Sequence, residues 1–216
     1  MELRDAIRTR LEADHGVVYG RDQVIVCNGA KHALYNIFQT LLDPGDEVIV
    51  DNPCWVSYPE MVRMAGGTPV FLYCPESQGF LPDMGDLEKL ITPHTKAFVL
   101  NNPSNPNGCI WSREQLLELG RLAVKYDFYI ISDEIYEKLV YDGCRHVCMA
   151  SLGEEIKERT ILVNGVSKSY AMTGFRIGYA LGPRDVIQGM ITYQSQATSG
   201  ANTAAQHAAA VALSMR

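Results

Sequence analysis

Lys168 stands in a loop between two apolar runs and is flanked by hydroxyls, Ser167, Ser169 and Tyr170. The run before it, Ile161-Leu162-Val163, breaks at Gly165. The run after it extends from Phe175 to Leu181, with Arg176 eight residues beyond the lysine. A lysine at the floor of a site, shielded from water or beside a second cation, keeps a neutral and nucleophilic fraction. An arginine presents a planar, permanently charged fork suited to a phosphate. Together they point to Schiff-base chemistry on a phosphate-bearing ligand. The plain alternative is a solvated loop lysine.

Four further clusters could serve such a ligand. Gly29-Ala30-Lys31 follows the strand-like run Gln23 to Cys27 and opens a helix carrying Leu34, Ile37, Phe38, Leu41 and Leu42. The free N–H groups and positive dipole end of such a helix suit a phosphate. Trp55 follows the run Glu47 to Val50 and could stack on an aromatic ring. Asn105, set between prolines after Lys96 to Leu100, could donate to a ring oxygen, aimed by a cis Asn-Pro bond. Asp133 closes the run Phe128 to Ser132 and could pair with a protonated ring nitrogen, while Tyr136 in the same turn could bond a phenolate oxygen. Each also has an ordinary reading: a strand-to-helix turn, a core tryptophan, a loop turn, a helix cap, a packed tyrosine.

What joins them is position. Each cluster lies just past the C-terminal end of a predicted strand, and in an open parallel sheet those ends share the edge where ligands bind. The elements support that sheet. Strands with continuous apolar runs alternate with helices throughout, which predicts a three-layer α/β/α domain with a mostly parallel sheet covered on both faces. Leu3, Ile7 and Leu11 mark a first helix stopped by Gly16, and Pro69 places the strand Pro69 to Tyr73 near an edge. Ser112 with Gln115 reads as a capping box opening a helix to Tyr126. From Arg184 onward the chain reads as helix, interrupted at Ser199 to Asn202 and Ala-rich to Arg216. No repeat or linker divides residues 1–216, so one domain is expected.

Bulk properties exclude some classes. A net charge of −6 with a pI near 5.4 disfavours nucleic-acid and anionic-membrane partners. Six cysteines form no C-x-x-C pair, and Cys144, His146 and Cys148 have no second cluster to match, so no metal site is expected. The N-terminal helix lacks the apolar core of a signal peptide, and no run approaches the ~20 apolar residues needed to span a membrane. A soluble, cytoplasmic protein is the expectation.

These residues carry a family resemblance. The stretches NGAKHALYN, DPGDEVIVDNPCWVSYPEMV, NNPSNPNG, SDEIYEKLVYDG and NGVSKSYAMTGFRIGYALGP resemble the large domain of class I/II aminotransferases, the fold-type-I enzymes dependent on pyridoxal 5′-phosphate. The closest likeness is to the aspartate-aminotransferase-like branch. The resemblance implies a ping-pong transfer of an amino group from an amino acid to a 2-oxo acid, in a homodimer. It implies that Lys168 is the Schiff-base lysine and proton carrier, and that Asp133 keeps the pyridine nitrogen protonated. Tyr136 and Asn105 would bond the ring's 3′ oxygen, and Trp55 would stack on the ring. Arg176, Gly29-Ala30-Lys31 and Ser167 would hold the phosphate. It further implies that an N-terminal arm and a C-terminal small domain, with the arginine that clamps the substrate carboxylate, belong to the family but not to these residues. Asn107 stands where many members have threonine. Within the same cofactor, a β-lyase or a domain that binds without turnover remains an alternative. A nucleotide-binding module is disfavoured because no Gly-rich fingerprint follows any strand.

Overall fold

The computed structural model describes residues 2–215, so Arg216, the last residue of the expected Ala-rich helix, lies outside it. The elements run α1 (Glu2–His15), β1 (Val24–Cys27), α2 (Ala30–Leu41), β2 (Glu47–Asn52), α3 (Ser57–Met64), β3 (Thr68–Tyr73), α4 (Met84–Leu90) and β4 (Thr95–Asn101). They continue with α5 (Arg113–Tyr126), β5 (Tyr129–Asp133), α6 (Glu154–Lys157), β6 (Thr160–Gly165), β7 (Gly178–Leu181), α7 (Arg184–Ala197) and α8 (Thr203–Ser214).

The strands form one seven-stranded sheet in the order β1-β7-β6-β5-β4-β2-β3. Pairings from β6 through β5, β4 and β2 to β3 are parallel, and β7 is antiparallel to both of its neighbours. Parallel neighbours need a crossover, usually a helix. The connection between β6 and β7 contains no helix longer than Thr173–Phe175 to cross the sheet, and β7 returns antiparallel. The edge position expected for Pro69 holds, since β3 closes one side of the sheet.

Alternate strand residues divide between the two faces, as a pleated backbone requires. Ile25, Cys27, Val48, Val50, Val99, Ile131 and Val163 pack with α2, α3 and α7 on one face. On the other face Val24, Val26 and Leu162 meet α1 and α8, while Ile49, Phe98, Leu100 and Ile130 meet α4, α5 and α6. Both faces are therefore covered, which is why the strands read as unbroken apolar runs. The first helix buries Leu3, Ile7 and Leu11, and Gly16 ends it at φ +69°. Ser112 and Gln115 exchange the two hydrogen bonds of a capping box at the start of α5.

One expected strand is shorter than its apolar run. Only Gly178–Leu181 pairs, and Phe175 is exposed. The Thr173–Phe175 turn and the left-handed Arg176 (φ 54°) place Phe175 before the strand begins.

Candidate active site

The ends of β1, β2, β4, β5 and β6 open on one edge, and a cavity of about 310 Å³ lies there. That is near the lower bound of about 300–1,000 Å³ for small-molecule sites. Ala30 and Lys31 line it from the start of α2, Trp55 from the loop after β2, and Asn105 from the loop after β4. Asp133 and Tyr136 enter from the end of β5, and Ser167, Lys168 and Arg176 from the β6–β7 connection. Of the residues singled out in the sequence, only Gly29 is not in the wall. It backs it instead: at φ +88° it has the room a side chain would deny, since a Cβ there would collide with the Arg176 guanidinium. Gly178 plays the same part from β7, where a Cβ would strike the backbone of Gly29 and Ala30. These two glycines let the Arg176 turn and the first turn of α2 share one corner.

The floor is acidic and dry. Asp133, the last residue of β5, is 3 % exposed, and burial pushes its carboxyl up to about 6. Two donors oppose that rise. Tyr58 Oη donates to Asp133 Oδ2 at 2.7 Å, and the backbone N–H of Ile135 donates to Oδ1 at 3.3 Å. Burial raises the Tyr58 phenol well above its ordinary value, and the neighbouring carboxylate adds to it, so Tyr58 stays a donor. Trp55 meets Tyr58 edge to face, with ring centroids 5.2 Å apart.

Asn101 secures the next wall. Its side-chain nitrogen donates to the Asp133 carbonyl at 3.0 Å and its oxygen accepts from Asn105 N–H at 2.7 Å. The turn bearing Asn105 is thereby tied to β5. The Asn105–Pro106 bond is cis, as expected, and so are Asn52–Pro53 and Asn102–Pro103.

The cations sit at the mouth. Lys168 is exposed, which corrects the expectation of a lysine at the floor of the site. Its Nζ lies 5.5 Å from the centre of the Tyr136 ring. Lys31 Nζ stands 4.7 Å from the centre of the Trp55 ring. Arg176 is exposed as well, and its Nη1 donates to the Thr173 carbonyl at 2.8 Å. The cavity is thus graded, with a buried carboxylate at one end and cations with a helix N-terminus at the other. A ring bearing a basic nitrogen on one side and a phosphate on the other matches that grading.

Sequence reasoning did not select Tyr58, Asn101 or Thr173, which also line the cavity. A signal existed for Tyr58, because Trp55 and Tyr58 are three residues apart at a helix start and so share a face. Asn101 is the last residue of β4, as Asp133 is of β5, and the same strand-end logic applies to it.

The family model for aminotransferase class I and II matches residues 1–216. An aspartate aminotransferase of Geobacillus stearothermophilus is 50% identical over 212 residues, covering 98% of this chain and 54% of that protein. Among solved structures, aspartate aminotransferase from Thermus thermophilus with maleate superposes with a TM-score of 0.95 at 48% identity, over 99% of this chain and 55% of the other. An aromatic aminotransferase from Pyrococcus horikoshii superposes at 0.96 with 37% identity, over 100% and 58%. The chain spans about half the length of the curated relatives it matches.

Proposed function

We propose that this chain, which belongs to the aminotransferase class I and II family, is the cofactor-binding large domain of an enzyme that moves an amino group from an amino acid to a 2-oxo acid. Residues 1–216 are read as that one domain, pyridoxal 5′-phosphate as its cofactor, and the assembly as a cytoplasmic homodimer. Among the described residues no helix is long and apolar enough to cross a membrane.

The observation that carries the reading is that Lys168 and Asp133 line one cavity from the ends of adjacent parallel strands, β6 and β5. The residues fit the cofactor by chemistry as well as position. When bound, pyridoxal phosphate supplies an electron sink for the pair left at the substrate's α-carbon. Asp133, ionised, would hold a proton on the ring nitrogen. Its dry surroundings strengthen that pairing, and Tyr58 keeps the carboxylate oriented. Trp55 would cover one face of the ring, and Asn105 and Tyr136 would orient its oxygen. Arg176, the N–H groups of Ala30 and Lys31 at the α2 start that Gly29 leads into, and the hydroxyl of Ser167 would bind the phosphate. Lys168 would anchor the cofactor between turnovers and, once released, carry a proton to and from the substrate's α-carbon. Its exposed position at the mouth leaves it free to do both.

The named aspartate aminotransferases among the relatives favour transfer over β-elimination and make aspartate the first donor to try. Mixing the purified chain with pyridoxal phosphate and reducing with borohydride should leave a stable adduct on Lys168, located by peptide mapping. No adduct, or one on another lysine, refutes the site. In the full-length protein, amino-group transfer from aspartate to 2-oxoglutarate should follow. Release of pyruvate and ammonia from a cysteine-type substrate without transfer would favour a β-lyase instead.

A further inference from the structure

Behind the turn that carries Tyr136 lies a group of side chains with no part in the cavity. His15 ends α1, Glu137 lies in that turn, and His146 lies in the loop before Met149. One donor atom from each falls within 4.8 Å of the other two. His15 Nε2 is 2.9 Å from Glu137 Oε2, and the two imidazoles meet edge to face with centroids 5.7 Å apart. Glu134 approaches His146 from behind, Oε2 to Nε2 at 3.2 Å, with side chains only 1% and 5% exposed.

The anomaly is in the hydrogen bonding. His146 Nδ1 has no hydrogen-bond partner, and Nε2 faces only Glu134 Oε2, at 3.2 Å but without hydrogen-bond geometry. A buried imidazole whose Nδ1 is unspent is costly and calls for a missing partner. We propose that His15, Glu137 and His146 bind a divalent transition-metal ion, zinc by preference, with Glu134 as the outer carboxylate that orients His146.

Two imidazoles and one carboxylate are a donor set that zinc accepts, with a fourth position open to water. Donors around tetrahedral zinc at about 2.0–2.1 Å lie about 3.3 Å from one another, so closure of this group needs side-chain shifts on the order of 1 Å. A ligating histidine whose second nitrogen faces a carboxylate is the usual outer arrangement, and Glu134 supplies it. Glu134 also accepts from Ser132 Oγ and Met149 N–H through Oε1, which fixes its other oxygen toward His146. Charge is balanced as well. Glu134 and Glu137 would face the cation, while Lys138 is held by Asp14 at 2.8 Å and is farther from Glu137, at 3.9 Å.

The neighbouring cysteines do not take part: Cys144 is exposed and Cys148 is packed in the apolar core. Local spacing therefore gave no reason to expect a metal, because the ligands come from positions 15, 137 and 146. Such an ion would clip the end of α1 to the turn that bears Tyr136, and so steady one wall of the cavity.

The rival account is a pair of protonated histidines in ion pairs, which needs no metal. The metal-free chain, titrated with Zn²⁺ against a chelating chromophore and with Co²⁺ by visible absorption, separates the two. One ion per chain, a tetrahedral cobalt spectrum and a Tm that rises with zinc are expected. His15→Asn and Glu137→Gln alter side chains that are each 12% exposed, and should weaken binding at least a hundredfold while circular dichroism of the metal-free chain is unchanged. Glu134→Gln should weaken it by about 10- to 100-fold. His207→Ala, at an exposed histidine outside the group, should leave it intact. Absence of binding, equal binding by His15→Asn and Glu137→Gln, or loss on Cys144→Ser would overturn the proposal.

Discussion

The Tyr58 hydroxyl donates to Asp133 Oδ2 at 2.7 Å, and both groups are almost wholly buried. This pair sets the electrostatics of the cavity floor. Burial alone favours a neutral carboxyl, and the phenol offsets part of that by bonding the ionised form. Tyr58→Phe removes a hydrogen bond to a charged group, worth about 1.5–3 kcal/mol. The Asp133 carboxyl should then be harder to ionise. Pyridoxal phosphate affinity near neutral pH should fall about tenfold or more, with no change at Lys168 itself. Cofactor titration of the parent and Tyr58→Phe chains checks this, and equal affinities would separate Tyr58 from the site.

Gly29 and Arg176 make a second, paired prediction. Gly29→Ala places a side chain at φ +88° and against the guanidinium, so it should cost about 1–3 kcal/mol of stability and weaken cofactor binding. Arg176→Ala should weaken binding at least as much with little change in stability, because Arg176 is exposed. Thermal unfolding beside phosphate-competed cofactor titration distinguishes strain from lost charge.

Asp51 gives a pH dependence with a definite sign. Its Oδ1 is buried without a hydrogen bond, and burial pushes the carboxyl up to about 7 despite some relief from Cys74. Between about pH 4 and about pH 7 the folded chain keeps a proton that the unfolded chain has released. Stability should therefore decline as pH rises through that window. Asp51→Asn should flatten the decline and leave the chain more stable than its parent above it. Unfolding at about pH 5 and about pH 8 reads the difference; an unchanged pH slope would contradict the assignment.

Ser112 accepts from Gln115 N–H at 3.2 Å and its own N–H donates to Gln115 Oε1 at 2.9 Å. Ser112→Ala should cost about 1 kcal/mol. That corresponds to a fall in Tm of about 2–4 °C for a chain of this size. Binding of cofactor should not change, since the cap lies outside the cavity wall.

Much of the cavity could be read along the chain. Ala30, Trp55, Asn105, Asp133 and Lys168 are recognisable because each follows an apolar run, and parallel strands bring such ends to one rim. Phe175 misled because its hydrophobicity extends the run of β7, yet the Arg176 turn begins there and leaves it in solvent. Tyr58 lies within α3 rather than at a strand end, and only the meeting of α3 with β5 gives its hydroxyl a partner.

By itself the sequence determined the α/β layering, the order of the elements and the residue types at the strand ends, because periodicity and turn chemistry act over a few neighbours. The tertiary structure decided that Lys168 is exposed while Asp133 is buried, that β7 runs against its neighbours, and that His15 meets Glu137 across 122 positions. Those outcomes depend on which surfaces the sheet and helices leave uncovered when they pack, and a solvation difference of that kind exists only after distant segments have met.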